Sequence, residues 1–252
     1  MRIVVMGAGG TGGYFGAKLA RAGEDVTFVA RGAHLVAIRT HGLRVKSARE
    51  GEWVVHSPAV DSLAGAPPAD LVLFCVKSFD TETAAAALRP VMGETTGVLS
   101  IQNGVDNEER LAQSLGPGHV IGGTTQVFST IEAPGVIAHS LLGRIVFGEL
   151  DGRRTPRAEA FLQACARAGI PAELSPRIRT ALWEKYVHLT AHSGMTAVTR
   201  CPAGVIRALP ETRRLYRQLL EEMAALAEAE AAGLAPGAVE RGLSFLDQLG
   251  PA

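Results

Sequence analysis

The turn Gly7-Ala8-Gly9-Gly10-Thr11-Gly12 has the spacing G-x-G-x-x-G. It follows a β-branched run over residues 2–6 and opens a helix-forming stretch over 14–22, the setting in which this spacing binds a dinucleotide. Glycines permit the tight turn and let the backbone come close to a pyrophosphate. The helix N-terminus then supplies free N–H groups and partial positive charge. A glycine-rich turn with no ligand is the plain alternative.

Four further groups have types suited to the same chemistry. NAD enzymes usually carry Asp or Glu at the end of the second strand, on the ribose 2′-hydroxyl. This chain reads Val29-Ala30-Arg31 there. A guanidinium suits a 2′-phosphate, and no acid is present to repel it, so the position points to NADPH; a solvated surface arginine is the competing reading. Lys77, in Val76-Lys77-Ser78, follows an apolar run and is expected beyond a strand end, where ligands of open α/β sheets bind. Asn103, in Gln102-Asn103-Gly104, also follows a strand and can hydrogen-bond a cofactor or a substrate carbonyl, although an Asn-Gly pair forms turns on backbone grounds alone. Lys185 lies among Leu182, Val187 and Leu189, so its stem is expected to be partly buried. Burial would lower its pKa towards the range of a useful acid. From local sequence alone, a snorkelling surface lysine is the stronger reading.

These groups need elements to hold them. Runs over residues 2–6, 25–30, 70–76 and 97–102 read as buried strands, and 120–127 and 136–150 as further strands. Helices are expected over 14–22, 34–40, 81–88 and 107–115. Alternating strands and helices predict an α/β, Rossmann-type doubly wound parallel sheet. Beyond Ser175-Pro176 strand signals vanish and helical patterns run over 178–198, 210–232 and 236–249. The expected organisation is therefore a dinucleotide-binding domain over 1–174 and an all-helical substrate and catalytic domain over 175–252. Leu215, Leu219, Met223 and Leu226 share a helical face, to be packed within the domain or against a second copy in a homodimer.

The chain has 252 residues, 47% of them hydrophobic, enough for two modest cores. Its 25 basic and 25 acidic residues balance and its aromatics are 5%, which argues against a nucleic-acid partner. Cys75, Cys165 and Cys201 are odd in number and far apart, so neither a disulfide framework nor a zinc site is expected. Cys75 reads as a core residue. The cysteines suit the reducing cytosol. The apolar run from Ile3 is too short for a targeting or membrane segment.

Together these residues resemble the ketopantoate reductase family, the 2-dehydropantoate 2-reductases. The Gly7–Gly13 loop, Arg31, Val76-Lys77-Ser78, Gln102-Asn103-Gly104, Trp183-x-Lys185 and Thr196-Ala197 occur in the family's order and spacing. The resemblance implies that Gly7 to Gly12, Arg31, Lys77, Asn103 and Ser129 bind NADPH and that Asn103 also meets the substrate. It implies that Lys185 is the general acid in reduction of a 2-keto acid to a 2-hydroxy acid, in the family the step to pantoate in pantothenate biosynthesis. The hydride belongs to the cofactor; the protein orients it and stabilises the developing charge.

The sequence departs from the family at its substrate positions. The family carries asparagines four and eight residues after the lysine and again further on; here they read Leu189, Ser193 and Ala203. The family pattern also continues beyond Pro251, with a Ser-Ser-Met segment and a later glutamate. Leu189 and Ser193 in the substrate positions predict a 2-keto acid with a more apolar side chain than ketopantoate, unless His192 or Ser193 supplies the missing hydrogen bonds. The competing readings are another β-hydroxyacid-type dehydrogenase with its own substrate, and a non-catalytic NADPH-binding regulator.

Overall fold

The computed structural model describes residues 1–250; Pro251 and Ala252, where the expected second domain ends, lie outside the described residues. The chain forms two compact units, Met1–Ile178 and the residues from Arg179 onward.

The first unit opens with β1 (Arg2–Met6), α1 (Gly10–Arg21), β2 (Asp25–Val29) and α2 (Gly32–His41). A hairpin of β3 (Leu43–Ser47) and β4 (Gly51–Val55) and the short β5 (Ala59–Val60) follow. The alternation then resumes with β6 (Leu71–Phe74), α3 (Thr81–Ala87), β7 (Gly97–Ser100) and α4 (Asn107–Leu115). A long pair, β8 (Val120–Ala133) and β9 (Val136–Glu149), precedes α5 (Pro156–Arg167) and β10 (Ala172–Leu174).

Among the described residues, ten strands join one sheet in the order β4-β3-β9-β8-β7-β6-β1-β2-β5, with β10 on β9. Side chains alternate across it. Ile3, Val5, Leu71, Leu73 and Leu99 enter one core with residues of α1, α2 and α5, while Val4, Met6, Val72, Phe74 and Val98 enter a second with residues of α3 and α4. A sheet buried on both faces needs apolar residues at every position, which is why these strands read as continuous apolar runs. The doubly wound Rossmann-type arrangement expected from the alternation is present.

Three features go beyond that expectation. The sheet is mixed, because β8 pairs antiparallel with β9, and β3 with β4. In addition, β8 runs on to Ala133, past residue 127; its outer part is mostly exposed, so Val127, Phe128 and Ile131 there form no buried apolar run. The α5–β10 unit was not among the expected elements, although Pro156 in its first turn and Thr155, whose hydroxyl accepts from the Ala158 N–H, mark the helix start. Cys75 is only partly buried at the surface of the first core, and desolvation raises its thiol well above the ordinary range.

The second unit is helical: α6 (Ile178–Thr199), α7 (Ala203–Ala208), α8 (Pro210–Ala229) and α9 (Ala238–Gln248). Gly242 lets α9 approach closely, since a Cβ there would stand 2.6 Å from Leu220 and 3.1 Å from His188. Arg207 donates to the carbonyls of Leu246, Asp247 and Leu249 and so caps the end of α9. The fully buried residues of α8 are Tyr216, Leu220 and Ala227; of the expected stripe, Leu219 and Met223 are half-buried and Leu215 and Leu226 exposed, so it is not the helix's main inward face. The inward face lies one residue round the helix, because the large Tyr216 ring takes the inward position. Among the described residues, no helix is long and apolar enough to cross a membrane.

Candidate cofactor and catalytic site

Parallel pairing brings the first group of residues to one edge. Met6 is level with Val29 and with Phe74, and Phe74 with Ser100. The segments that follow each strand, which hold Gly7, Arg31, Lys77 and Asn103, therefore leave the sheet along its C-terminal edge, where open α/β sheets bind ligands.

The loop between β1 and α1 is shaped by close packing. Gly7 has φ +100°, and a Cβ on it would lie 3.1 Å from Val76. A Cβ on Gly12 would lie 2.2 Å from the Gly7 carbonyl oxygen, and one on Gly10 would lie 2.2 Å from the Ser129 carbonyl oxygen. Gly9 differs: a Cβ there meets nothing within 4 Å. Gly9 is the N-cap of α1, which has no side-chain cap and no acid in its first turn. An open face above an uncapped helix start is what a pyrophosphate requires. The hydroxyl of Ser129, whose backbone carbonyl lies against Gly10, is buried with no partner among the described residues. Backbone cradle, uncapped helix start and orphaned hydroxyl together fit a dinucleotide.

The neighbouring strand ends are tied to this loop. The Ala8 N–H donates to the Val29 carbonyl at 3.1 Å, so Arg31, two residues further on, is held beside the loop. Arg31 is the exposed N-cap of α2. Gln102, which the sequence reading left without a role, donates to the Val76 carbonyl at 2.9 Å and to Thr81 Oγ1 at 3.0 Å, and so fixes the strand end that carries the exposed Lys77. Asn107 Nδ2 donates to the Asn103 carbonyl at 3.0 Å, beside Gly104 at φ +124°. Asn103 therefore sits in the Asn-Gly turn that its backbone favours, with its side chain exposed.

The two central glycines separate folding from binding. Gly9→Ala is expected to cost no more than about 1 kcal/mol of stability, the scale of a poorer N-cap. It should weaken dinucleotide binding by at least about tenfold, because its methyl occupies the open face. Gly10→Ala drives a methyl into backbone and is expected to cost about 1–3 kcal/mol of stability itself. Thermal melts beside dinucleotide titrations of both variants check this. Equal binding by Gly9→Ala and wild type would place the ligand elsewhere.

In the second unit, Lys185 lies near the middle of α6, and burial lowers its ammonium to about 8. Leu189, one turn on, is half-buried; Ser193 is exposed and donates to the Thr190 carbonyl at 3.4 Å. His188 and His192 turn towards α9. The His188 ring stacks with Phe245 at 6.4 Å and reaches the Ala238 carbonyl at 3.4 Å, and His192 meets Phe245 edge-on. Burial holds both imidazoles below their usual range. These histidines thus pack the helical unit. Ala203, the third substituted position, is buried at the start of α7.

Comparison with known proteins extends over both units. Residues 3–152 match the family described as Ketopantoate reductase PanE/ApbA, and residues 177–249 match Ketopantoate reductase PanE/ApbA C terminal. The chain is 32% identical to a 2-dehydropantoate 2-reductase of Mesorhizobium japonicum over 251 residues, covering 91% of this chain and 76% of that protein. It is 34% identical to one from Archaeoglobus fulgidus, covering 88% and 72% respectively. The crystal structure of 2-dehydropantoate 2-reductase from Geobacter metallireducens superposes with a TM-score of 0.93 at 35% identity, covering all of this chain and 84% of that one. The glycine cradle, the strand-end cations and the helix-borne lysine thus occur in a chain that belongs to the ketopantoate reductase family.

Proposed function

We propose that this protein reduces a 2-keto acid to a 2-hydroxy acid with NADPH, the reaction class named for its relatives. The observation that carries the reading is the open dinucleotide cradle at the uncapped start of α1; the chain also holds Lys185, half-buried on α6, whose ammonium desolvation lowers to about 8. Such an acid still holds its proton at neutral pH and gives it up more readily than a solvated lysine. NADPH supplies the hydride when bound. The Gly7–Gly12 loop and the α1 N-terminus take the pyrophosphate, and Arg31 takes the 2′-phosphate. Lys77, Asn103 and the Ser129 hydroxyl complete the cofactor contacts. Lys185 Nζ would be the general acid for the substrate carbonyl, and Asn103 would be a further substrate contact. The three cysteines, all free, fit an enzyme of the reducing cytosol.

Substrate choice is the finer part of the proposal. Leu189 has neither donor nor acceptor, where the family resemblance implies an asparagine. A hydroxyl held against it loses a hydrogen bond, at about 1–3 kcal/mol for each buried polar group left unpaired. Apolar 2-keto acids are therefore expected to exceed ketopantoate in kcat/KM by about 10-fold or more, at about 1.4 kcal/mol per decade. NADPH oxidation followed by absorbance across a panel of 2-keto acids tests both levels. Turnover of none of them favours the non-catalytic regulator. A clear preference for ketopantoate would return the enzyme to pantoate formation in pantothenate biosynthesis.

A further inference from the structure

His34 lies in the first turn of α2, three residues after Arg31, and is half-buried. Its ring joins two segments far apart in sequence. Nδ1 stands 3.0 Å from the Gly135 backbone nitrogen in the turn between β8 and β9, and Nε2 stands 2.8 Å from the Ala8 carbonyl oxygen in the glycine loop. A backbone N–H can only donate and a carbonyl can only accept. Nδ1 therefore carries the lone pair and Nε2 carries the hydrogen, which makes His34 a neutral imidazole of one tautomer with both nitrogens used.

The bond to Ala8 bears on the loop's function. The Ala8–Gly9 peptide is planar and trans, so its C=O and its N–H point in opposite directions. Holding the Ala8 oxygen fixes the aim of the Gly9 N–H at the uncapped start of α1. Glycines at 7, 9 and 10 otherwise leave this plane free to turn, since each lacks a Cβ to restrict it. The peptide before it is already held by the Ala8 N–H bond to Val29. On the far side, the turn that supplies the Gly135 N–H belongs to the hairpin whose Ser129 backbone lies against Gly10. Ala37 of α2 packs where a Gly135 Cβ would be, at 2.9 Å.

We infer that His34 is a positioning residue that clamps the glycine loop between α2 and the β8–β9 turn and so aims the loop's N–H groups at the pyrophosphate. The functional half of this inference rests on the dinucleotide reading above; the clamp itself does not. His34 acts through the backbone and not on the 2′-phosphate, so its loss weakens NADPH and NADH alike, unlike a loss at Arg31.

Two variants and two measurements test it. His34→Leu keeps the bulk and removes both bonds, and His34→Gln keeps a donor and an acceptor on one head group. In cofactor-free protein, amide exchange over residues 7–13 is expected to speed up in His34→Leu relative to the rest of the first unit. NADPH and NADH affinities should both fall by roughly tenfold, the size expected for one or two net hydrogen bonds. His34→Gln should recover most of both losses. Unchanged loop exchange in His34→Leu overturns the clamp, whatever happens to its melting temperature. Loss of NADPH affinity alone overturns the pyrophosphate role. If wild type binds neither dinucleotide, the proposed function fails, and loop exchange still decides the clamp.

Discussion

Lys185→Ala is expected to lower kcat by about 10²–10⁴-fold, the contribution of a positioned general acid, while NADPH affinity stays near that of wild type. The pH profile sharpens the expectation. Burial favours the neutral amine and brings the Lys185 ammonium down to about 8. Below that value the proton to be donated is present, and above it the acid is progressively lost. Wild-type reduction should therefore fall as pH rises past about 8, and Lys185→Ala should lack that limb. Lys185→Arg keeps the positive charge but not the acidity, because a guanidinium does not release its proton in this range. It should stay far below wild type. Steady-state rates from pH 6 to pH 10, with 2-keto acid and NADPH saturating, make the measurement. Full turnover by either variant would remove Lys185 from proton transfer.

Arg31→Ala carries the second large effect. A hydrogen bond to a charged group contributes about 1.5–3 kcal/mol. NADPH binding should therefore weaken by roughly 10- to 100-fold, at about 1.4 kcal/mol per decade. NADH has no 2′-phosphate and should bind the variant and wild type alike, so the preference between the dinucleotides collapses. Because Arg31 is exposed, the wild-type preference should also shrink as salt rises. Parallel titrations of NADPH and NADH at low and high salt measure all of this. Wild-type protein that binds NADH as tightly as NADPH would refute the assignment.

Much of the candidate site was proposed from the chain because its expected chemistry is local. The glycine spacing needs only its flanking strand and helix to be interpreted, and Arg31 only its place at a strand end. The contributions of His34, Gln102 and Asn107 were not readable. Each works by a hydrogen bond to backbone elsewhere, on Ala8 and Gly135, on Val76, and on Asn103. A side chain aimed at a carbonyl leaves no periodicity or spacing to detect. His188 and His192 show the reverse case. Spacing puts both on the Lys185 face of the helix, where packing is the plainer reading for a histidine and a substitute hydrogen bond from His192 the alternative; their rings meet Phe245.

Composition and pattern by themselves determined the doubly wound sheet, the change to helices after residue 175 and the family resemblance. These rest on runs of burial and on short motifs, which hydrophobic periodicity and glycine geometry record directly. Tertiary structure alone decided the antiparallel β8–β9 pair, the inward face of α8 and the reason for each glycine. Strand direction is set by pairing partners, and β9 takes β8, β3 and β10 at different points along its length. The face of α8 is set by where the Tyr216 ring fits, which the apolar stripe beside it cannot reveal. Gly10 is required by the Ser129 carbonyl, whereas Gly9 faces open space and the fold would accept a side chain there, and sequence writes both with the same letter. Only packing distinguishes a glycine that the fold needs from one that leaves room for a ligand.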